Sequence, residues 1–118
     1  MPRQSKAYNI LSDAALGSLS ALGRRLKEAR LRRNWTQLQT AEKAGLSESS
    51  VKKVEAGSVR ITVGAYLSLL DVYGLPTALD EVLAPGTDTL GEALARGATR
   101  RRAGGKRQQS APEDEWEI

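Results

Sequence analysis

The sequence predicts an all-α domain of five helices followed by a polar tail, and three observations carry that expectation. Apolar residues recur three, four or seven positions apart rather than in the alternation of a strand. Serine or threonine stands at the start of nearly every such stretch, where its hydroxyl accepts from an exposed amide. Glycine or asparagine closes each one, supplying the left-handed residue that stops a helix. No strand pattern and no internal repeat stands out.

Taken in order, residues 1–11 hold few apolar anchors, although Tyr8, Ile10 and Leu11 could pack onto something. From Ser12 and Asp13, both able to cap, Leu16, Leu19, Leu22, Leu26 and Leu31 form an apolar stripe. Gly17 and Gly23 weaken one uninterrupted helix, so the firm part is expected at 19–33, with Asn34 ending it. In WTQLQTAEKAG, Thr36 and Gln39 can bond reciprocally, which predicts a helix over 37–44 stopped by Gly45. Ser47 caps the next helix, Val51 and Val54 give it an inward face, and Gly57 stops it. Residues 62–73 place Val63, Tyr66, Leu67, Leu70 and Tyr73 on one face, ended by Gly74. Thr77 with Asp80 then predicts a short helix carrying Leu79, Val82 and Leu83. Thr89 with Glu92 predicts one or two further turns holding Leu90 and Leu94. The expected organisation is a flexible arm or extra helical turn at 1–18, a folded domain at 19–95 and a disordered tail at 96–118.

Composition narrows the chemistry. The 118 residues include neither cysteine nor histidine, which removes thiolate chemistry, the commonest general base and the commonest metal ligand. No constellation supports an enzyme, and no cofactor or metal is expected. No apolar run approaches the roughly 20 residues of a membrane span, and the N-terminus lacks a signal-peptide core, so a soluble, cytoplasmic, nucleoid-associated protein is expected. The net charge of +4 is unevenly placed: basic residues cluster at 24–33 and at 96–107, while 113–117 is acidic. Such clusters suit a polyanion, and equally a solvated helix face.

Two short helices joined by a glycine turn, with the small Ala41 where their backbones would approach, form a helix-turn-helix pattern. At 100° per residue Val51 and Val54 point to the core. Ser49, Lys52, Lys53 and Ala56 point away, with Glu48 at the side. An exposed face of short polar residues and lysines fits a major groove.

Residues 23–74 resemble the lambda-repressor-like (Cro/CI, Xre) helix-turn-helix family. The residues that carry the likeness are Thr36-Gln37, Ala41, Gly45, Ser47, Val51, Val54, Glu55, Gly57 and the leucine-rich fourth helix. Two departures are Thr40, where leucine is usual and for which Leu38 would have to compensate, and Glu48, where arginine or glutamine is common. The resemblance implies that Gln37 holds a phosphate, with the Thr36 amide sharing that role, and that Glu48, Ser49 and Lys53 read bases. Lysine donates to guanine and glutamate accepts from cytosine, so C·G steps are the expected reading. Lys43, Lys52 and Arg60 are assigned to phosphates. Arg30 and Glu55 match family positions that pair with each other, a structural role. Trp35, Tyr66 and Tyr73 are expected in the core.

Beyond the motif, Asp88, Leu90-Gly91, Arg100-Arg101-Arg102 and the ending EDEWEI resemble, in that order, the HipB-like antitoxins. This narrower likeness implies a homodimeric repressor of its own operon, bound to a palindromic operator in double-stranded DNA and restraining a HipA-like Ser/Thr kinase. Trp116 and Ile118 would then be the partner-binding residues of the tail, the alternative being a solubilising tail. Two other readings stay open: a stand-alone Xre-type regulator, and a protein-interaction module acting mainly through its C-terminus.

Overall fold

The computed structural model describes residues 10–101. Among them all regular structure is helical: α1 (Asp13–Arg32), α2 (Gln37–Ala44), α3 (Glu48–Glu55), α4 (Val63–Val72), a 3-10 turn (Ala78–Glu81) and α5 (Thr89–Arg101). The chain divides into two compact units, Met1–Leu79 and Asp80–Ile118. The division falls inside the 19–95 segment treated above as one domain.

In the first unit, α1 starts where Ser12 Oγ accepts from the Ala15 amide at 3.0 Å, and it runs without a break for 20 residues. The helix therefore begins well before residue 19. Gly23 does not interrupt it, because that glycine is a packing site: a Cβ there would lie 2.6 Å from the Val54 carbonyl oxygen and 2.7 Å from that of Glu55. The stripe is also narrower than the leucine spacing predicts. Leu26 is buried with Ala29, and Leu19 and Leu22 pack half-buried against the core, but Leu16 and Leu31 are exposed. Arg33 caps the helix and Asn34 takes a left-handed φ of 56°. Asparagine tolerates that conformation better than most residues.

The core joins α1 to α4 through α2 and α3: Leu26, Ala29, Ala41, Val51, Val54, Ala65, Tyr66, Leu69, Leu70 and Tyr73 are all buried. Burying each large side chain contributes about 1.5–3 kcal/mol. The inward face of α4 is rotated from the expected one. Ala65 and Leu69 turn in with Tyr66, Leu70 and Tyr73, whereas Val63 is 69% exposed and Leu67 38%. Nearly every position of α4 is apolar, so periodicity alone supports either face.

Thr40 is fully buried and Leu38 is 51% exposed, so Leu38 does not compensate for it. The threonine satisfies itself instead. Its hydroxyl donates to the Thr36 carbonyl at 2.9 Å, which removes the cost of burying a bare polar group.

The segment after Pro76 makes a 3-10 turn rather than the expected α-helix, and Val82 and Leu83 are exposed, with Leu83 at a left-handed φ of 58°. With nothing buried beneath it, a single turn lacks the packing that sustains a short helix. In the second unit Asp88, not Thr89, caps α5: the Gly91 amide donates to Asp88 Oδ1 at 3.1 Å. Glu92 accepts from the Gly86 amide at 2.9 Å instead of closing a box with Thr89. The helix extends to Arg101, past the start of the expected tail at 96, since Ala93, Leu94, Ala95, Arg96 and Ala98 are strong helix formers that absorb Gly97. Residues 102–118 lie outside the described residues.

Candidate nucleic-acid interface

Local chemistry dictates each end of the two central helices. Thr36 Oγ1 accepts from the Gln39 amide at 3.0 Å while Gln39 Oε1 accepts from the Thr36 amide at 2.9 Å, a closed reciprocal cap for α2. Gly45 then turns the chain at φ 72°, with the Leu46 amide donating to the Ala41 carbonyl at 2.9 Å. Two residues on, Ser47 Oγ accepts from the Ser50 amide at 3.0 Å and starts α3. Ala41, 1% exposed, lets the two helices approach.

Val51 and Val54 are completely buried, which sets the rotation of α3 and leaves Glu48, Ser49, Lys52 and Lys53 exposed. Its far end is pressed against α1. A Cβ on Gly57 would lie 2.6 Å from Ser20 Cα, so this glycine serves both a φ of 72° and a direct backbone contact.

Glu55, the last residue of α3, is the hub of a buried polar network. Arg30 Nε donates to its Oε2 at 2.6 Å and Arg30 Nη2 to its Oε1 at 3.1 Å. A third Arg30 nitrogen, Nη1, donates to the Trp35 carbonyl at 2.9 Å, tying the loop before α2 to the same guanidinium. The hydrogen bond to Glu55 raises the Arg30 pKa, overcoming the desolvation that works against its charge. The side chains of Arg30 and Glu55 are 8% and 4% exposed. Losing either partner strands a buried charge, at a cost of about 3–5 kcal/mol. Gln37 joins them, its Nε2 donating to Glu55 Oε1 at 3.0 Å. The structure therefore brings Arg30, Gln37 and Glu55 together.

The other residues singled out in the sequence are distributed around this network. The Thr36 amide is already bonded to Gln39, which corrects the idea that it is open to a phosphate. The first intrahelical bond of α2 is from the Thr40 amide to the Thr36 carbonyl, so the amides of Gln37 and Leu38 have no acceptor within the helix. Lys43 is exposed, with its ammonium 4.8 Å from the centre of the Trp35 ring. The Arg60 side chain is exposed, and its amide donates to Ser58 Oγ at 2.9 Å. Trp116 and Ile118 lie outside the described residues.

Three structural roles escaped the sequence reading. Arg33 sits 5.0 Å over the Tyr73 ring and donates to the carbonyls of Ala29 and Tyr73, at 2.8 and 2.9 Å, clamping the C-terminal ends of α1 and α4 together. Trp35 packs against the same Tyr73 ring, tilted by 33° with the ring centres 5.9 Å apart. The Tyr66 hydroxyl donates to the Ser58 carbonyl at 2.8 Å and holds the loop that leaves α3. Apart from the Arg33–Ala29 bond, four residues apart, these partners lie 8–40 residues apart in sequence, and no local spacing signals them.

An eight-residue α2, a glycine turn and an α3 presenting lysines from a fixed rotation define the protein as a helix-turn-helix protein, an architecture of DNA-binding regulators. The chain belongs to the helix-turn-helix domain family, whose pattern matches residues 21–83, more than half of its length. No curated protein matches the chain. Among the described residues no helix is long and apolar enough to cross a membrane.

Proposed function

We propose that this protein is a sequence-specific transcriptional repressor that binds a palindromic operator as a homodimer. The observation that carries the reading is α3: fully buried Val51 and Val54 and the Glu55 anchor fix its rotation, while Glu48, Ser49 and Lys53 stand exposed. In this reading those three side chains read base edges. Gln37, Lys43, Lys52 and Arg60 take phosphates, together with the open amides at the start of α2 in place of that of Thr36.

The test is selection from a randomised duplex library followed by footprinting and salt titration. Lys53→Ala is expected to cost about 1–3 kcal/mol on the selected site and to relax preference at one base pair. Binding without sequence preference at any salt concentration would remove the base-reading assignment.

The narrower reading, the antitoxin of a HipA-like kinase, draws on the order of Asp88, Leu90-Gly91, the arginine run and EDEWEI. An acidic, aromatic terminus has the chemistry to engage a basic or apolar pocket, with Trp116 and Ile118 as anchors. Co-purification with a HipA-like kinase, lost on deletion of 112–118 with operator affinity unchanged, is the expected result. Capture that survives the deletion would overturn the tail's role.

A further inference from the structure

We infer that Gln37 is a positioning residue that converts a phosphate contact into sequence discrimination. The inference rests on the DNA-reading assignment above and goes beyond it, because a phosphate ligand alone would strengthen binding to every duplex equally.

The geometry is specific to the first residue of α2 and the last residue of α3. A glutamine side-chain amide carries two N–H donors on one nitrogen. One is committed at 3.0 Å to Glu55 Oε1. That same oxygen receives Arg30 Nη2 at 3.1 Å, and its companion Oε2 receives Arg30 Nε at 2.6 Å. Gln37 is half-buried and its Nε2 makes no second hydrogen bond among the described residues, so the second donor is assigned to the phosphate. A phosphate held by that donor would be two hydrogen bonds from Glu55 at the end of α3 and three from the Arg30 guanidinium of α1.

The carboxylate cannot shift to follow the glutamine. It is 4% exposed, bidentate to a guanidinium, and carried by a helix whose valines are fully buried. The phosphate contact is therefore made at full strength in one placement of α3 over the groove. On the correct site that placement also satisfies the base-reading side chains. On other sequences the helix must shift to optimise its charges, and the Gln37 contact is strained or lost. The energy of the contact is thereby weighted toward the specific complex.

The experiment uses the full chain and two duplexes: one selected by the wild-type protein from a random library, and a scrambled duplex of the same composition. Gln37→Met keeps the length of the side chain and removes both donors. The expected result is a loss of affinity on both duplexes that is about tenfold greater on the selected one, so that the selected-to-scrambled ratio falls about tenfold, with thermal melting little changed. Equal losses on both duplexes would overturn the inference and leave a plain phosphate ligand. So would an unchanged ratio accompanied by a lower melting temperature, the mark of a purely structural bond.

Coupling through the carboxylate is tested by a double-mutant cycle with Glu55→Gln, in which the effect of Gln37→Met on the ratio should largely disappear. Should Glu55→Gln fail to fold, the side-chain amide protons of Gln37 in the wild-type chain decide, followed by NMR on each duplex: slowed exchange on the selected duplex alone supports the link, and equal exchange on both overturns it. If the wild-type chain selects no duplex at all, the DNA-reading assignment itself fails, an outcome distinct from every one above.

Discussion

Tyr66 in α4 and Tyr73 at its C-terminal cap are both buried, yet their hydroxyls have opposite fates. Tyr66 donates to the Ser58 carbonyl at 2.8 Å. The Tyr73 hydroxyl is buried without a hydrogen bond of good geometry among the described residues, although the Thr40 hydroxyl, which donates to Thr36, lies beside it and lowers its pKa somewhat. Removing a satisfied group costs its bond, whereas removing an unsatisfied one relieves a desolvation cost. Tyr66→Phe is therefore expected to lose about 1 kcal/mol in urea denaturation, and Tyr73→Phe to be neutral or to gain up to about 1 kcal/mol. The same pair sets an alkaline limit. Burial pushes both hydroxyls up, and for Tyr73 the nearby Glu55 carboxylate adds to it. A phenol that stays protonated when folded but ionises when unfolded makes the unfolded state bind fewer protons, so stability falls as pH rises beyond the ordinary tyrosine range, about 10. Tyr73→Phe should flatten that decline, and denaturation followed from pH 8 to 11 would show it. Both tyrosines were legible as core residues from their helical spacing. Their partners were not, because a hydroxyl's acceptor is chosen by tertiary packing.

At the scale of elements, α2 and α3 were legible almost to the residue, because caps and stops are local chemistry written within four positions of each helix end. The misread elements are those whose signal was not local. The face of α4 depended on which neighbours it met, and α1 was expected only from residue 19, past Gly17, whereas the helix absorbs that glycine and uses Gly23, inside the expected span, for the purpose of contact with α3. That purpose makes an ordering of glycine substitutions testable. At Gly45, φ is 72° but nothing lies within 4 Å of an added Cβ, so Gly45→Ala bears only the left-handed cost of about 1–2 kcal/mol. At Gly23 the conformation is helical, but the added carbon meets the backbone of Val54 and Glu55 at 2.6 and 2.7 Å. Overpacking against backbone costs typically 1–3 kcal/mol, and here it also pushes on the end of α3. Gly57→Ala combines both penalties, with a φ of 72° and Ser20 Cα at 2.6 Å. The expected order of destabilisation by thermal or urea melting places Gly57→Ala last in stability. Gly23→Ala should weaken binding to the selected duplex even in its folded fraction, and Gly45→Ala the least.

For the whole molecule, the division at Leu79 separates two kinds of sequence. Among the described residues every buried hydrophobic side chain lies between Leu26 and Tyr73, inside the first unit. The second unit offers exposed Leu90 and Leu94 on a helix among whose described side chains none is fully buried, and its sequence holds the whole of the second basic cluster. If homodimerisation runs through the last helices, a chain ending at residue 83 should remain folded and reader-competent but monomeric. The comparison is clean in charge, because residues 84–118 contain six basic and six acidic residues and their removal leaves the formal net charge at +4. Non-specific attraction to the phosphate backbone should therefore change little. What should be lost is the linkage between half-sites about one helical turn apart. On a duplex with a single half-site, the truncated and full chains are expected to bind within about twofold. On a palindrome the full chain should bind at least about tenfold more tightly, since tethering two readers makes the second contact intramolecular. Sedimentation of both chains, run beside the binding titrations, identifies the cause. A truncated chain that still sediments as a dimer and still prefers the palindrome would move the dimer contact onto the first unit.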